Sequence, residues 1–475
     1  MKCNAGLIGL AVMGQNLVLN MERNGFSVAV FNRTSAKTDE FMKEKAEGKN
    51  ITPARTIAEF VNLLESPRKI FIMVKAGQPV DDTIEALLPH LDKGDIIVDG
   101  GNSHYPDTRR RDKFLAEKEI RFMGTGISGG EEGALNGACI MPGGDKEAFA
   151  LVENILNAIS AKVNNEPCCA YMGPRDAGHF VKMVHNGIEY ADMQVIAEVY
   201  DFLKRFMGMQ ASDIRDTFIS WNEGVLNSYL LEITIDILNV NDPGNGRLLL
   251  DYILDSAQQK GTGKWTSQAA LELGAPIPAI DAALFARIIS SMKDERVKAA
   301  NFYEYKDDTS GFDPLNPMYG SLINTARIAL LCSRISVYAQ GMAMLKKASL
   351  EFGFELDLSV IAKIWRGGCI IRSALLESIS EAFTKNPDLD SLLMDNYFSV
   401  MLKKGRVRWG EIVSFSVAAE VACPAISSCI QYFDSYRTPR LPANLIQAQR
   451  DYFGAHTYKR IDKEGNFHTD WKTKP

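Results

Sequence analysis

AGLIGLAVMGQNLVLNM, residues 5–21, sets a short apolar run against a glycine-punctuated turn and then an amphipathic segment. Gly9, Ala11 and Gly14 form G-x-A-x-x-G between a strand and a helix. In such a loop the first small residue permits the tight turn, the second lets a pyrophosphate approach, and the third lets helix and strand pack closely. Free amides at the helix N-terminus, where Val12 and Met13 stand, then meet the phosphate charge. Ala11 departs from G-x-G-x-x-G, but the position after the first strand carries the assignment. The second apolar run, Ser27–Phe31, ends in Asn32, Arg33 and Thr34. An acid there would bind the ribose 2′-hydroxyl of NAD. Here Arg33 can pair with a 2′-phosphate, and Asn32 and Thr34 add donors, so these residues predict NADP.

Outward from this loop, glycine use divides the chain. Eighteen of the 37 glycines fall in residues 1–176. Short apolar runs recur there at Gly6–Leu10, Val28–Phe31, Ile70–Val74, Ile96–Asp99, Arg121–Gly124 and Cys139–Met141, separated by amphipathic stretches such as Gln15–Asn24 and Asp81–Leu91. Buried strands alternating with helices predict a Rossmann-type parallel α/β sheet. From Ala177 the pattern becomes helical, as in Gly178–Arg205, Asp281–Ala300 and Leu322–Phe352, and after Tyr436 it turns irregular and polar. The expected organisation is a nucleotide-binding domain over 1–176, an all-helical domain over 177–436 and an extended tail over 437–475. The helical part also repeats itself: WNEGVLNSYLLE from Trp221 and WRGGCIIRSALLE from Trp365 share a Trp, a Gly three residues on, and S-x-L-L-E at Ser228 and Ser373. The offset of 144 to 145 residues predicts a duplicated helical unit.

Composition excludes several classes. The 475 residues carry 53 Lys and Arg against 59 Asp and Glu, a net charge of −6, which disfavours a dedicated nucleic-acid binder. Eight cysteines contain no C-x-x-C pair, and the six histidines show no metal-ligand spacing, so no metal site is expected. Sparse thiols fit a reducing compartment. Gly6, Gly9 and Gly14 interrupt the N-terminal apolar run, which therefore reads as a strand and not a secretory signal. Arg334 breaks the best candidate for a membrane span, so no membrane partner is expected.

The string GHFVKMVHNGIEY places Lys182, His185, Asn186 and Glu189 at i, i+3, i+4 and i+7, within an arc of roughly 60° on one helix face. A solvated salt-bridge face is one interpretation. His and Asn between the charges, with Gly187 thinning the helix, point to the wall of a polar pocket. The equivalent positions of the second repeat, near Ala326, Ala329, Leu330 and Ser333, have not kept this face. ISGGEEGA offers backbone donors for an anion at Ser128, Gly129 and Gly130. Lys260 and Thr262 stand among glycines in KGTGKW, which lacks P-loop spacing. QAQRDYFGAH supplies Arg450 and His456 in the tail.

Taken in order, GLAVMGQNL, NRT, VKAG, VDGGNS, ISGGEEGA, KMVHNGIEYADMQ, KGTGKW, WRGGCIIRS and QAQRDYFGAHTY resemble the strings of the 6-phosphogluconate dehydrogenase family over essentially the whole chain. GPRDAG at Gly173–Gly178 and Pro79 depart from its usual pattern. The resemblance implies NADP-dependent oxidative decarboxylation of 6-phosphogluconate in the oxidative pentose phosphate pathway, without a metal. It implies Lys182 as the base and Glu189 as the acid. Ser128, Gly129 and Gly130 would bind the substrate carboxylate, and Asn102, His185 and Asn186 its other oxygens. Tyr190, Lys260, Thr262 and Arg287 would hold the 6-phosphate, and Val74 and Lys75 the cofactor, with Asn102 at the junction. Arg450 and His456 would reach a neighbouring subunit's pocket, which implies a homodimer. A cytoplasmic location follows, with organellar import by an unrecognised signal left open. The alternatives are a β-hydroxyacid dehydrogenase of 3-hydroxyisobutyrate type and a non-catalytic NADP-binding protein.

Overall fold

The computed structural model describes residues 2–259, 261–305 and 316–472. Seven short strands form one sheet: β1 (Ala5–Ile8), β2 (Val28–Phe31), β3 (Ile51–Pro53), β4 (Lys69–Ile72), β5 (Ile96–Asp99), β6 (Arg121–Ser128) and β7 (Cys139–Gly144). Their order is β3-β2-β1-β4-β5-β6-β7, parallel throughout except for the antiparallel β6–β7 pair. Strands β1 and β5 are buried along their whole length, as a sheet covered on both faces requires. Strand order reverses beside β1, and the turns after β1, β2, β4 and β5 gather at their carboxyl ends, where such sheets bind nucleotides. The edge strand β3 is the one that periodicity did not show, because three residues ending in Pro53 carry no alternation.

The helix Ala177–Asp201 leaves the nucleotide-binding part and lies directly on β6 and β7. Glycines make this possible. A Cβ on Gly178 would collide with the Gly124 and Met141 carbonyls and the Gly143 nitrogen, and one on Gly126 would strike the Lys182 stem.

The helical duplication is present in the fold. Helices Ala177–Asp201, Ala211–Trp221, Tyr229–Ile237, Thr262–Leu273 and Pro278–Ser291 recur in the same order as Tyr319–Phe352, Leu358–Ile364, Leu375–Lys385, Asn396–Ala418 and Pro424–Tyr436. The two copies meet reciprocally. Ser228 bridges antiparallel to Ser373, with the Tyr229 amide donating to the Arg372 carbonyl (3.0 Å) and the Ala374 amide to the Asn227 carbonyl (2.9 Å). Each copy's long helix also caps the other copy's proline-started helix. Gln340 Oε1 accepts from the Ala279 amide at 2.9 Å, and the Glu198 carboxylate accepts from the Ala425 and Ile426 amides at 2.9 and 2.8 Å. Where Gly187 makes room for Thr266, the second copy has moved the small residue to the partner side, with Gly405 facing Cys332.

Tyr319–Phe352 is, among the described residues, the one helix long and apolar enough to cross a membrane, and it is mostly buried inside the protein. Arg334 within it forms a fully buried ion pair with Asp192, Nε to Oδ1 at 2.8 Å. The expected stretch Asp281–Ala300 is two helices, Pro278–Ser291 and Lys293–Phe302, broken at Met292. Residues Met1–Cys429 form one compact unit and Ile430–Pro475 another. The second unit is less irregular than its composition suggests, since it contains the helix Ala443–Gly454.

Candidate active site

On the nucleotide side, Gly9 takes φ +105° against the Met73 carbonyl, and a Cβ on Gly14 would collide with the Gly9 carbonyl. Both positions therefore require glycine. The helix Val12–Arg23 begins at Ala11 with no capping side chain and no acid in its first turn, so its amides suit an anion. Asn32 braces the loop: its Oδ1 accepts from the Leu10 amide and its Nδ2 donates to the Thr34 carbonyl, both at 3.1 Å. The side chains of Arg33 and Thr34 are exposed beyond it. Val74 is partly buried and Lys75 exposed after β4, and Asn102 is exposed after β5.

A buried network holds these turns. Asp99 accepts from the Gly101 amide (3.1 Å) and from Ser103 Oγ (2.6 Å), and lies 3.5 Å from Arg111 Nη1. Arg111 also binds Asp81 twice and the Gly77 carbonyl. Hydrogen bonds from Arg111 hold the Asp81 carboxyl below its usual range despite its burial. His179, one turn before Lys182, meets Thr108 Oγ1 at 2.7 Å beneath the same turns.

On the helix Ala177–Asp201, Lys182, His185 and Asn186 are buried together. Lys182 Nζ donates to Asn186 Oδ1 at 2.8 Å, and His185 Nδ1 lies 3.1 Å from the same oxygen. An amide oxygen only accepts, so His185 carries its proton on Nδ1 and its Nε2 accepts from Ser128 Oγ at 3.2 Å. Burial, reinforced by Lys182, pushes the His185 pKa well below its ordinary value and keeps the ring neutral. Burial also lowers the Lys182 pKa, against the pull of Glu189. It raises that of Glu189, against Lys182 and Arg287. Glu189 Oε2 lies 3.9 Å from His185 Nδ1. Helical spacing brings these side chains onto one buried face, where an amine biased toward the free base shares the face with a carboxyl biased toward the acid.

Gly129 and Gly130 follow Ser128 with φ of +116° and +61°. Next to Glu189 in sequence, the Tyr190 ring lies 3.6 Å under the Arg287 guanidinium and packs against Gly263. Thr262 is buried at the start of the helix Thr262–Leu273, which has no capping side chain and no acid in its first turn. Tyr190, Thr262 and Arg287 thus form a cationic corner beside the Lys182 face, and Lys260 lies outside the described residues. Arg450 and His456 belong to the separate C-terminal unit, where Arg450 Nη1 donates to Gln447 Oε1 at 3.2 Å.

Sequence reasoning missed a support from the second copy. Trp365 is fully buried, packs edge-on against His185 with ring centroids 5.6 Å apart, and donates to Met141 Sδ at 3.4 Å. The Gly368 carbonyl accepts from the Cys139 amide at 2.8 Å and would clash with any Cβ on Gly129. The W-x-x-G repeat, WNEG at Trp221 and WRGG at Trp365, was the available signal.

Residues 4–173 match the family described as the NAD binding domain of 6-phosphogluconate dehydrogenase, and residues 178–471 match the 6-phosphogluconate dehydrogenase C-terminal domain. The chain is 56% identical over 470 residues to the NADP(+)-dependent, decarboxylating 6-phosphogluconate dehydrogenase of Bacillus subtilis (strain 168), covering 99% of each chain. It is 52% identical over 474 residues to the decarboxylating enzyme of Lactococcus lactis, again covering 99% of each. Among solved structures, Plasmodium falciparum 6-phosphogluconate dehydrogenase, studied as apoenzyme and with NADP+ or 6-phosphogluconate, superposes with a TM-score of 0.95 at 46% identity, covering 99% of this chain and 100% of that one. With a Rossmann sheet, a duplicated helical domain and matching motifs along its length, this chain belongs to the 6-phosphogluconate dehydrogenase family.

Proposed function

We propose that this chain catalyses the NADP-dependent oxidative decarboxylation of 6-phospho-D-gluconate to D-ribulose 5-phosphate, CO2 and NADPH. The observation that carries this is the buried Lys182–Asn186–His185–Ser128 chain of hydrogen bonds beside Glu189, in a protein 56% identical over its length to a named decarboxylating relative. The uncapped helix after Gly9 fits the NADP pyrophosphate, and Arg33 with Thr34 fits its 2′-phosphate. When bound, NADP supplies the hydride acceptor.

Lys182, as the free amine, takes the C3 hydroxyl proton as the C3–H bond breaks. Lys182, now ammonium, then donates to the new C3 carbonyl oxygen. Electrons of the C1–C2 bond move toward that oxygen as CO2 departs, and the charge stabilises the enolate. Glu189 returns a proton to the enediol carbon that becomes C1 of the product. Ser128, Gly129 and Gly130 receive the carboxylate, Asn102, His185 and Asn186 the hydroxyls, and Tyr190, Lys260, Thr262 and Arg287 the 6-phosphate. Val12, Met13, Val74, Lys75 and Asn102 flank the cofactor.

The tail, residues 437–475, completes the active site of a neighbouring subunit in a homodimer through Arg450 and His456. Exposed Leu445, Ile446, Tyr452 and Phe453 around Arg450 support a docking role for the helix Ala443–Gly454. The change of family match between residues 173 and 178 supports a domain limit near 176, and the compact unit that begins at Ile430 supports a separate tail. Eight buried free cysteines support a reducing, cytoplasmic setting. NADPH formation on adding 6-phosphogluconate to the purified protein with a chelator tests the activity. Binding of NADP without turnover would sink it.

A further inference from the structure

The C-terminal unit is organised around one carboxylate. Asp451 is fully buried and accepts four hydrogen bonds. Its Oδ1 takes the Thr457 amide at 3.0 Å and His468 Nδ1 at 2.9 Å, and its Oδ2 takes the Thr469 amide at 3.1 Å and Trp471 Nε1 at 2.8 Å. Donors from two separate stretches converge on a helix residue, and each bond to an ionised carboxylate is stronger than a neutral one.

Asp451 follows Arg450, and Thr457 follows His456, so the Asp451–Thr457 bond spans the two. On either side of His456, Ala455 and Thr457 adopt left-handed φ of +50° and +59°, uncommon for residues with a side chain. Gln447 closes the same turn: its Nε2 donates to the Thr457 carbonyl at 2.6 Å while its Oε1 accepts from Arg450. The His456 ring packs edge-on against Phe453, with centroids 5.9 Å apart.

We propose that Asp451 is a positioning residue for substrate binding, setting the separation and orientation of Arg450 and His456 through the knot it ties. This rests on the assignment above of Arg450 and His456 to the substrate. A tail ordered beforehand presents both side chains without the entropic cost of ordering them on binding.

Steady-state kinetics of the full-length variants R450A, D451N and W471F, with each substrate varied, test the proposal. R450A and D451N are both expected to raise KM for 6-phosphogluconate by about tenfold or more, with KM for NADP unchanged. W471F, which removes one donor of four, gives a smaller rise in the same constant. An unchanged D451N beside an impaired R450A overturns the positioning role, as does a D451N that raises both KM values equally. If D451N does not fold, W471F decides, and an unchanged KM for 6-phosphogluconate overturns the proposal. An unimpaired R450A overturns the substrate assignment of the tail, and the positioning role falls with it.

Discussion

Burial sets the chemistry of Lys182. The amine donates to the Asn186 amide oxygen, and burial, outweighing the pull of Glu189, lowers its pKa and makes it a base at a pH where a surface lysine is an acid. Activity should therefore rise with pH as Lys182 loses its proton and reach a plateau below its ordinary value of 10.5. Lys182→Met should lower turnover about a thousandfold while NADP still binds, measured by cofactor titration beside NADPH formation. Substantial residual hydride transfer would remove Lys182 as the base. Arg33→Asp should shift preference from NADP toward NAD, read as the ratio of the two kcat/KM values, because it places an acid where a 2′-hydroxyl would bind. The face carrying Lys182, His185, Asn186 and Glu189 was legible because helical spacing alone brings these positions together. Trp365 and Arg111 were not. Arg111 sits in an Arg109–Arg110–Arg111 run that reads as solvated, yet only Arg111 is fully buried, and which of three adjacent cations turns inward depends on where Asp81 and Asp99 lie.

At the scale of elements, the contact between the helix Ala177–Asp201 and strands β6 and β7 is made backbone to backbone. Gly178→Ala should destabilise the protein by about 3 kcal/mol in denaturant unfolding, since three backbone atoms surround the added methyl and none can rotate away. A small change would mean that the helix can lift from the sheet. Glu198 makes a different prediction. Burial pushes its pKa up to about 7, although the Ile426 and Ala425 amides and Gln194 pull it down. An acid raised in the folded state contributes stability that is complete below its unfolded value of 4.5 and is lost as pH rises through about 7. Glu198→Gln should flatten the fall in melting temperature between pH 5 and pH 8.5, and an unaltered slope would show that Glu198 does not titrate there. The parallel strands and long helices were readable from apolar runs and helical period. The strand β3 and the helix Ala443–Gly454 were hidden, one by its three-residue length and one by a face that stays polar or exposed within its own unit.

For the whole molecule, the proposal that the tail completes a neighbour's site makes a prediction that no single variant can. Co-expressing Lys182→Met and Arg450→Ala chains should restore about a quarter of wild-type activity, because each mixed dimer then holds one site with both groups intact. No recovery would place the tail on its own subunit's site. The duplication was visible in the WNEGVLNSYLLE and WRGGCIIRSALLE strings, but not how the copies depend on each other. That dependence has an outcome at the ribosome. Glu198 emerges 227 residues before the Ala425 amide it will cap, and the Ala279 amide 61 residues before Gln340. A nascent first copy is thus a half-built structure with its helix ends open and its seam at Ser228 unpaired. It cannot close until the second copy has been translated, so the half of the helical domain that carries Lys182 waits on the synthesis of the half that has not kept its polar face.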